Sequence, residues 1–293
     1  VPGLKNPTAM NFDGETPEEP KPFEGIEGLR IHDIQGAGHV SPYQSQNVKA
    51  VEGVATHVVD ASNFYMQDAS PDDNANTSEA VLVYKPSHGI KAGDLVSVDG
   101  QVKEWVLDGY AEKLETDLAM TEINAQYGNV TIKSSGQALP AAVTIGKDAI
   151  PPTEVIDNDQ LGTFDPQEDG IDFYESLEGM RVSLESPTVT GPQKYGEVPV
   201  ITGKEEGKAY TKEGAPLLTK DNQNPEKMFL LLDNRSYAAK AGDQFSGTVT
   251  GVVSYSFSNF KILVKETNLP ELTEREVTSE VTTIEKEEDK LTI

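Results

Sequence analysis

From Val48 onward the chain alternates apolar and polar side chains with a period of two, the pattern of strands that bury one face. Strands are expected at 48–59, interrupted by Gly53, then at 63–68, 80–85 and 95–105. The turn Ala92-Gly93-Asp94 precedes the fourth. A fifth is expected at 115–124, and 129–133 extends the sheet. Five short strands separated by Gly-rich turns predict a small closed barrel.

The second half repeats this order. Strands are expected at 180–189, 197–201, 228–233, 245–255 and 259–265. Ala241-Gly242-Asp243 precedes the fourth of them, as its counterpart does in the first half, and Leu269-Pro270 closes the set as Leu139-Pro140 closes the first. A three-residue match says little alone, but its recurrence at the same place in the strand order predicts a tandem duplication.

Between the two sets, 169–184 changes period. Asp172 and Glu175 have capping-box spacing. Phe173 and Leu177 share a helical face, Gly179 ends the turn, and Met180, Val182 and Leu184 then alternate as a strand. The segment 151–178 holds nine acids and no Lys or Arg, and reads as a solvated connection. Residues 1–24 carry five prolines and read as an arm or linker. Gly36, Gly38 and Pro42 exclude a long helix at the start of the first barrel. The expected division is an arm at 1–27, a barrel at 28–150, the acidic connection at 151–178, a second barrel at 179–270 and a tail at 271–293. The tail ends in Lys290-Leu291-Thr292-Ile293, which reads as the first strand of a further domain.

A length of 293 residues agrees with two domains. The net charge of −25, from 49 acidic and 24 basic side chains, argues against a dominant nonspecific phosphate-binding surface, because such surfaces are basic. It fits solubility outside the cell. The absence of cysteine excludes disulfides, zinc–thiolate sites and thiol chemistry. No apolar run reaches the roughly 20 residues of a membrane helix. No signal peptide is seen, and the start at Val1 is consistent with a trimmed chain.

Three stretches resemble the non-catalytic region of secreted bacterial nucleases of the endonuclease/exonuclease/phosphatase group. The first is Arg30-Ile31-His32-Asp33-Ile34-Gln35-Gly36 through Ser41-Pro42-Tyr43, running into Val51-Glu52-Gly53-Val54. The second is Asn63-Phe64-Tyr65-Met66-Gln67-Asp68, followed by Pro71-Asp72 and Thr77-Ser78-Glu79. The third is Asp172-Phe173-Tyr174-Glu175-Ser176-Leu177-Glu178-Gly179-Met180-Arg181-Val182. The resemblance implies two OB-like five-stranded barrels ahead of a nuclease domain that needs a divalent metal, Mg²⁺, Mn²⁺ or Ca²⁺. That group's catalytic Asn, Glu, Asp and His positions have no counterpart here, so no catalytic residue is carried over and the chain reads as non-enzymatic.

Candidate binding residues follow from the barrel expectation, since OB barrels bind ligands across the outer face of strands 2 and 3. If Phe64 is core, Tyr65 points outward, and Tyr84 stands near it with Lys85, Lys91 and Lys103. Exposed tyrosines stack on unpaired bases; the alternative is that they only cover the barrel or its neighbour. The loop 203–227 carries Lys204, Lys208, Lys212, Lys220 and Lys227, offset by acids. It is a path for a nucleic-acid strand or a solvated loop. Asp68, Asp72 and Asp73, with Asn74, Asn76 and Glu79, form a candidate Ca²⁺ loop without EF-hand spacing; a self-capping Asx turn explains the same residues. The acidic connection is a second cation candidate, with a spacer as the alternative. The four histidines lack metal-ligand spacing; His32 beside Asp33 is read as structural and Trp105 as core. No phosphate-cradling Gly-rich loop precedes a helix.

The expected role is a monomeric, extracellular or cell-wall-attached accessory region that positions a nuclease domain and guides single-stranded or duplex DNA or RNA. A structural spacer and a carbohydrate-binding, adhesin-like module are the competing expectations, since OB barrels also bind oligosaccharides. A Gram-positive surface protein fits the missing cysteine.

Overall fold

The computed structural model describes residues 23–278, apart from 73, 108, 112, 205 and 206. Residues 1–22 of the expected arm at 1–27, and the terminal strand-like Lys290–Ile293, lie outside the described residues.

The first barrel consists of β1 (Asn47–Val58), β2 (Asn63–Gln67), β3 (Ala80–Tyr84), β4 (Leu95–Trp105) and β5 (Met120–Asn124), with β6 (Val130–Ser134) added along β4. The strands run β1-β2-β3-β5-β4, and β4 returns to pair with β1, so the sheet closes. β3 and β5 are parallel and the other pairs antiparallel. This 1-2-3-5-4-1 circuit is the OB topology. Phe64, Met66, Val81, Val83, Val96, Val98 and Ile123 fill the interior from alternate positions. The fifth strand is shorter than its pattern suggested, because 115–119 form a turn and its approach. Trp105 is 40% exposed at the end of β4, contrary to its expected place in the core.

The second barrel repeats the circuit with two strands broken. Its first strand is β8 (Arg181–Glu185) followed by β9 (Thr188–Val189), interrupted at Ser186-Pro187. Its fourth is β12 (Gln244–Phe245) followed by β13 (Thr248–Ser256). With β10 (Glu197–Ile201), β11 (Met228–Leu232) and β14 (Asn259–Val264), the order β9-β10-β11-β14-β13-β8 closes through the broken first strand. β7 (Val143–Thr144) and β15 (Leu272–Thr273) lengthen the sheet at its two ends. Part of the expected tail therefore belongs to this sheet.

Each first strand is preceded by a short helix. In α1 (Ile31–Gln35), Ile31 and Ile34 enter the first core. In α2 (Gly170–Glu175), Phe173 enters the second, with Leu177 just beyond the helix. The recurring Lys-Ala-Gly-Asp turn is the same structure in both barrels. Lys91 N donates to Asp94 Oδ2 at 2.8 Å, and Lys240 N to Asp243 Oδ2 at 2.9 Å. Gly93 and Gly242 sit at φ 88° and 89°, where a Cβ is strained. Each donates its N–H to the first strand of its barrel, to Ala55 O and Val189 O, both at 2.8 Å.

The acidic connection is not a solvated spacer. It packs on barrel 2: Gln223 N donates to Glu154 O at 2.6 Å and Ile156 N to Gln223 Oε1 at 2.7 Å. Asp169, Asp172, Glu175 and Glu178 are buried. The helix starts one residue after Asp169, so Asp172 lies inside it and the expected Asp172–Glu175 capping box does not form. Asp172 instead accepts from Asp165 N at 2.8 Å and meets His39 of the first barrel at 2.6 Å.

Candidate nucleic-acid interface

In each barrel the ligand-binding face expected for strands 2 and 3 continues onto strand 5, which lies beside strand 3. In barrel 1 this face is covered. Tyr65 does point out of its barrel, but it is only 2% exposed. With Leu82, Leu118 and Met120 it packs on Val252 and Tyr255 of barrel 2. Its hydroxyl donates to Ser254 Oγ at 3.0 Å. Tyr65 is therefore not available to stack on a base, which corrects that expectation. Tyr84 lies one row further out, opposite Asn63 and Asn124, and is half-buried. Lys85 is no free cation either: its Nζ donates to Ala125 O at 3.1 Å and Gly128 O at 2.9 Å, tying down the turn after β5.

More polar contacts fasten the junction. Arg181 N donates to Gln67 Oε1 at 2.9 Å, and Ser78 Oγ to Glu178 O at 2.5 Å. Glu178 Oε1 accepts from Gln35 Nε2 and Thr121 N at 3.1 and 3.0 Å. Glu104, Glu175 and Glu178 each keep a second buried oxygen without a partner among the described residues. Burial, followed by the charges of Glu178, Glu104 and Asp172, holds Glu175 well above the usual carboxyl range. Burial, then the Glu104 charge, pushes Glu178 up to about 8.

In barrel 2 the corresponding face is only partly covered: Lys261 is buried and Leu263 packs against the junction, while Glu197, Pro199, Phe229 and Leu231 are half-buried. Alternation turns Val198, Val200, Leu230 and Ile262 inward. Two outward rows result: Pro199, Phe229, Lys261 in one and Glu197, Leu231, Leu263 in the next. The aromatic groups on and beside these rows are each accompanied by a lysine. Lys227 Nζ lies 5.3 Å from the Phe229 ring centre, Lys194 Nζ 5.0 Å from Tyr195 and Lys261 Nζ 4.9 Å from Phe257. Tyr195 is 68% exposed and Phe257 52%. Lys261 is buried and satisfied by Glu197 Oε1 at 2.5 Å, so it fixes the face rather than charging it. A cleft of about 280 Å³ continues the face toward barrel 1, lined by Tyr195, Leu231, Arg235, Lys265 and His57. Burial, reinforced by Lys265, pushes His57 down to about 4, so it is neutral at pH 7. The exposed Tyr195 and the half-buried Phe229, flanked by Lys194, Lys227, Arg235 and Lys265, are the kinds of group that stack bases and pair with phosphates.

The lysines of the 203–227 loop divide differently. Lys208 is buried in an ion pair with Glu226 and is structural. Lys204 is exposed with its Nζ 5.4 Å from the Tyr210 ring, and Lys212 lies 3.7 Å from Glu213. Of that loop's lysines, Lys227 stands beside the face, next to Phe229, whereas Lys204, Lys208 and Lys212 are engaged away from it. The other residues gathered at the face were missed because Tyr195, Phe229 and Arg235 are far apart in sequence; strand alternation in 197–201 and 228–233 was the available signal.

Of the expected Ca²⁺ loop, Asp68 pairs with Arg30 at 2.7 Å. Asp72 Oδ1 accepts from Asn74 N at 2.8 Å as an Asx turn. Asp73 lies outside the described residues. Asp72 instead joins His32 and Glu79 in a group whose ligand atoms lie within 4.8 Å of one another. Asp157, Asp159 and Asp169, and Asp165, Asp169 and Asp172, form two further such groups. Burial, then neighbouring aspartates, raises Asp165; burial chiefly raises Asp169.

Residues 144–274 match a family described as a domain of unknown function (DUF8508). The matched span is less than half the chain and runs from β7 to just past β15. No curated protein is matched. Among solved structures, the chain is similar to a crystal structure of wild-type single-stranded DNA binding protein from Thermus aquaticus, with 13% identity and a TM-score of 0.20, over 81% of this chain and 97% of that one. The OB assignment rests on the two strand circuits rather than on that likeness. Among the described residues no helix is long and apolar enough to cross a membrane.

Proposed function

We propose that this chain is the non-catalytic accessory region of an extracellular or cell-wall-attached, metal-dependent nuclease, and that it guides a single strand of nucleic acid over the outer face of β10, β11 and β14. The observation that carries the guiding role is the contrast between the two barrels. The ligand face of barrel 1 is consumed by the docking of barrel 2, while that of barrel 2 stays partly open and bears lysine-flanked rings. The nuclease context rests on the three resembling stretches. The net charge of −25 makes the contact a weak, local one, suited to guiding rather than storage.

A purely structural spacer is the second reading, favoured by the buried polar junction, which sets the two barrels at a fixed angle. Fluorescence anisotropy with a single-stranded oligonucleotide separates the two. The guiding role predicts saturable binding at low salt that weakens steeply as salt rises, and that is lost in Tyr195→Ala with Phe229→Ala. A flat titration at every salt concentration supports the spacer. Salt-insensitive binding of an oligosaccharide on the same face supports the carbohydrate-binding reading.

A further inference from the structure

The first barrel holds a constellation that the guiding role does not use. His32 comes from α1, Asp72 from the loop after β2, and Glu79 from the residue before β3. His32 Nδ1 is 3.3 Å from Glu79 Oε2 and 3.8 Å from Asp72 Oδ2. Donors placed about 2.0–2.1 Å from a tetrahedral ion are roughly 3.3–3.4 Å apart. The His32–Glu79 edge already has that length, and Asp72 must move inward to close the other two, with all three ligand atoms now within 4.8 Å of one another. We propose that His32 Nδ1, Asp72 Oδ2 and Glu79 Oε2 bind one divalent transition-metal ion of the zinc class, with the fourth position open to solvent.

Four features support the assignment. The groups are held by their own neighbours: Asp72 N donates to Glu79 Oε1 at 2.5 Å and Asn74 N to Asp72 Oδ1 at 2.8 Å. Asp33 Oδ1 stands 3.8 Å from the other ring nitrogen, His32 Nε2, beyond hydrogen-bond reach but on the side from which a carboxylate can orient a metal-bound imidazole. The nearby cation Arg30 is engaged by Asp68 and Ser70 O, and among the described residues no Lys or Arg forms an ion pair with Asp72 or Glu79. Asp72 and Glu79 also line a cleft of about 440 Å³ shared with Phe173 and Leu177 of barrel 2, which gives a fourth ligand room to enter. A nitrogen donor and three protein ligands suit zinc rather than calcium, which takes six to eight oxygens. The site goes beyond the accessory role and stands independently of it.

The test uses the full chain stripped with a chelator and titrated with Zn²⁺ by calorimetry, and with Co²⁺ by visible absorption. The expected result is one ion per chain and an intense tetrahedral Co²⁺ spectrum. His32→Gln and Glu79→Gln should each weaken Zn²⁺ binding by about 100-fold or more, and Asp33→Asn by roughly 10–100-fold. Asp148→Asn, in the same cleft but outside the triad, should leave it unchanged. If a triad variant does not fold by circular dichroism, Asp33→Asn and the wild-type Co²⁺ spectrum still decide. No saturable binding, a weak octahedral Co²⁺ spectrum, Zn²⁺ displaced by equimolar Ca²⁺, or affinity retained in His32→Gln and Glu79→Gln would each overturn the proposal.

Discussion

The phenol of Tyr65 reaches Ser254 Oγ across 3.0 Å, joining the second strand of one barrel to the fourth strand of the other. Tyr65→Phe removes this hydrogen bond but keeps the ring, and should cost about 1 kcal/mol. Tyr65→Ala removes the packing on Val252 and Met120 and should cost about 3–5 kcal/mol. Urea denaturation measures both, and Tyr65→Ala should also expose the sequence between the barrels to limited proteolysis.

Gly179 lies at this junction with φ at 71°, and a Cβ there would stand 3.2 Å from Tyr65 Cδ1 and 3.3 Å from the Ala80 Cβ. Gly179→Ala combines a strained backbone with tight contacts, so a loss of about 1–3 kcal/mol is expected in the same denaturation experiment.

Stability should pass through a maximum in mild acid. The raised carboxyls of Glu175 and Glu178 favour the fold below their ordinary value of 4.5, and this contribution is lost as pH rises above it, for Glu178 through about 8. His57, held down at about 4, acts in the opposite sense, and its contribution is lost as pH falls from 6.5 through 4. Two carboxyls outweigh one imidazole above about pH 4.5, so the thermal midpoint should be highest near there and fall on either side. Glu175→Gln should flatten the alkaline side and His57→Gln the acidic side.

Lys208 distinguishes a structural cation from a binding one. Removing it leaves the buried Glu226 without its ion-pair partner, so Lys208→Ala should cost about 3 kcal/mol or more in stability. Oligonucleotide affinity of the folded variant should not change. Lys227→Ala, on the partly open face beside Phe229, should show the reverse pattern.

The sequence shows where strands lie, because alternation marks the inside of a barrel directly: Phe64 and Met66 point inward, and Tyr65 outward. The repeated Lys-Ala-Gly-Asp turn makes the duplication legible, since its geometry depends on a few adjacent residues. Alternation cannot show which outer face meets a second barrel. Tyr65 therefore looks like a platform residue and is a junction residue. The acids of 151–178 mislead for a related reason: charge density suggests solvent, whereas Asp172 and Glu178 find partners in His39, Gln35 and Thr121, more than fifty residues away. His32 reads as isolated because Asp72 and Glu79 join it only after the barrel has closed.

The central claim is that nucleic acid uses the partly open face of barrel 2 and not that of barrel 1. Hydrogen exchange with and without a single-stranded oligonucleotide at low salt tests it most directly. Slowed exchange is predicted across β10, β11 and β14 and the turn carrying Lys194 and Tyr195, with β2 and β3 unchanged. Slowed exchange centred on β2 and β3 or on the 203–227 loop, or none anywhere, would contradict it.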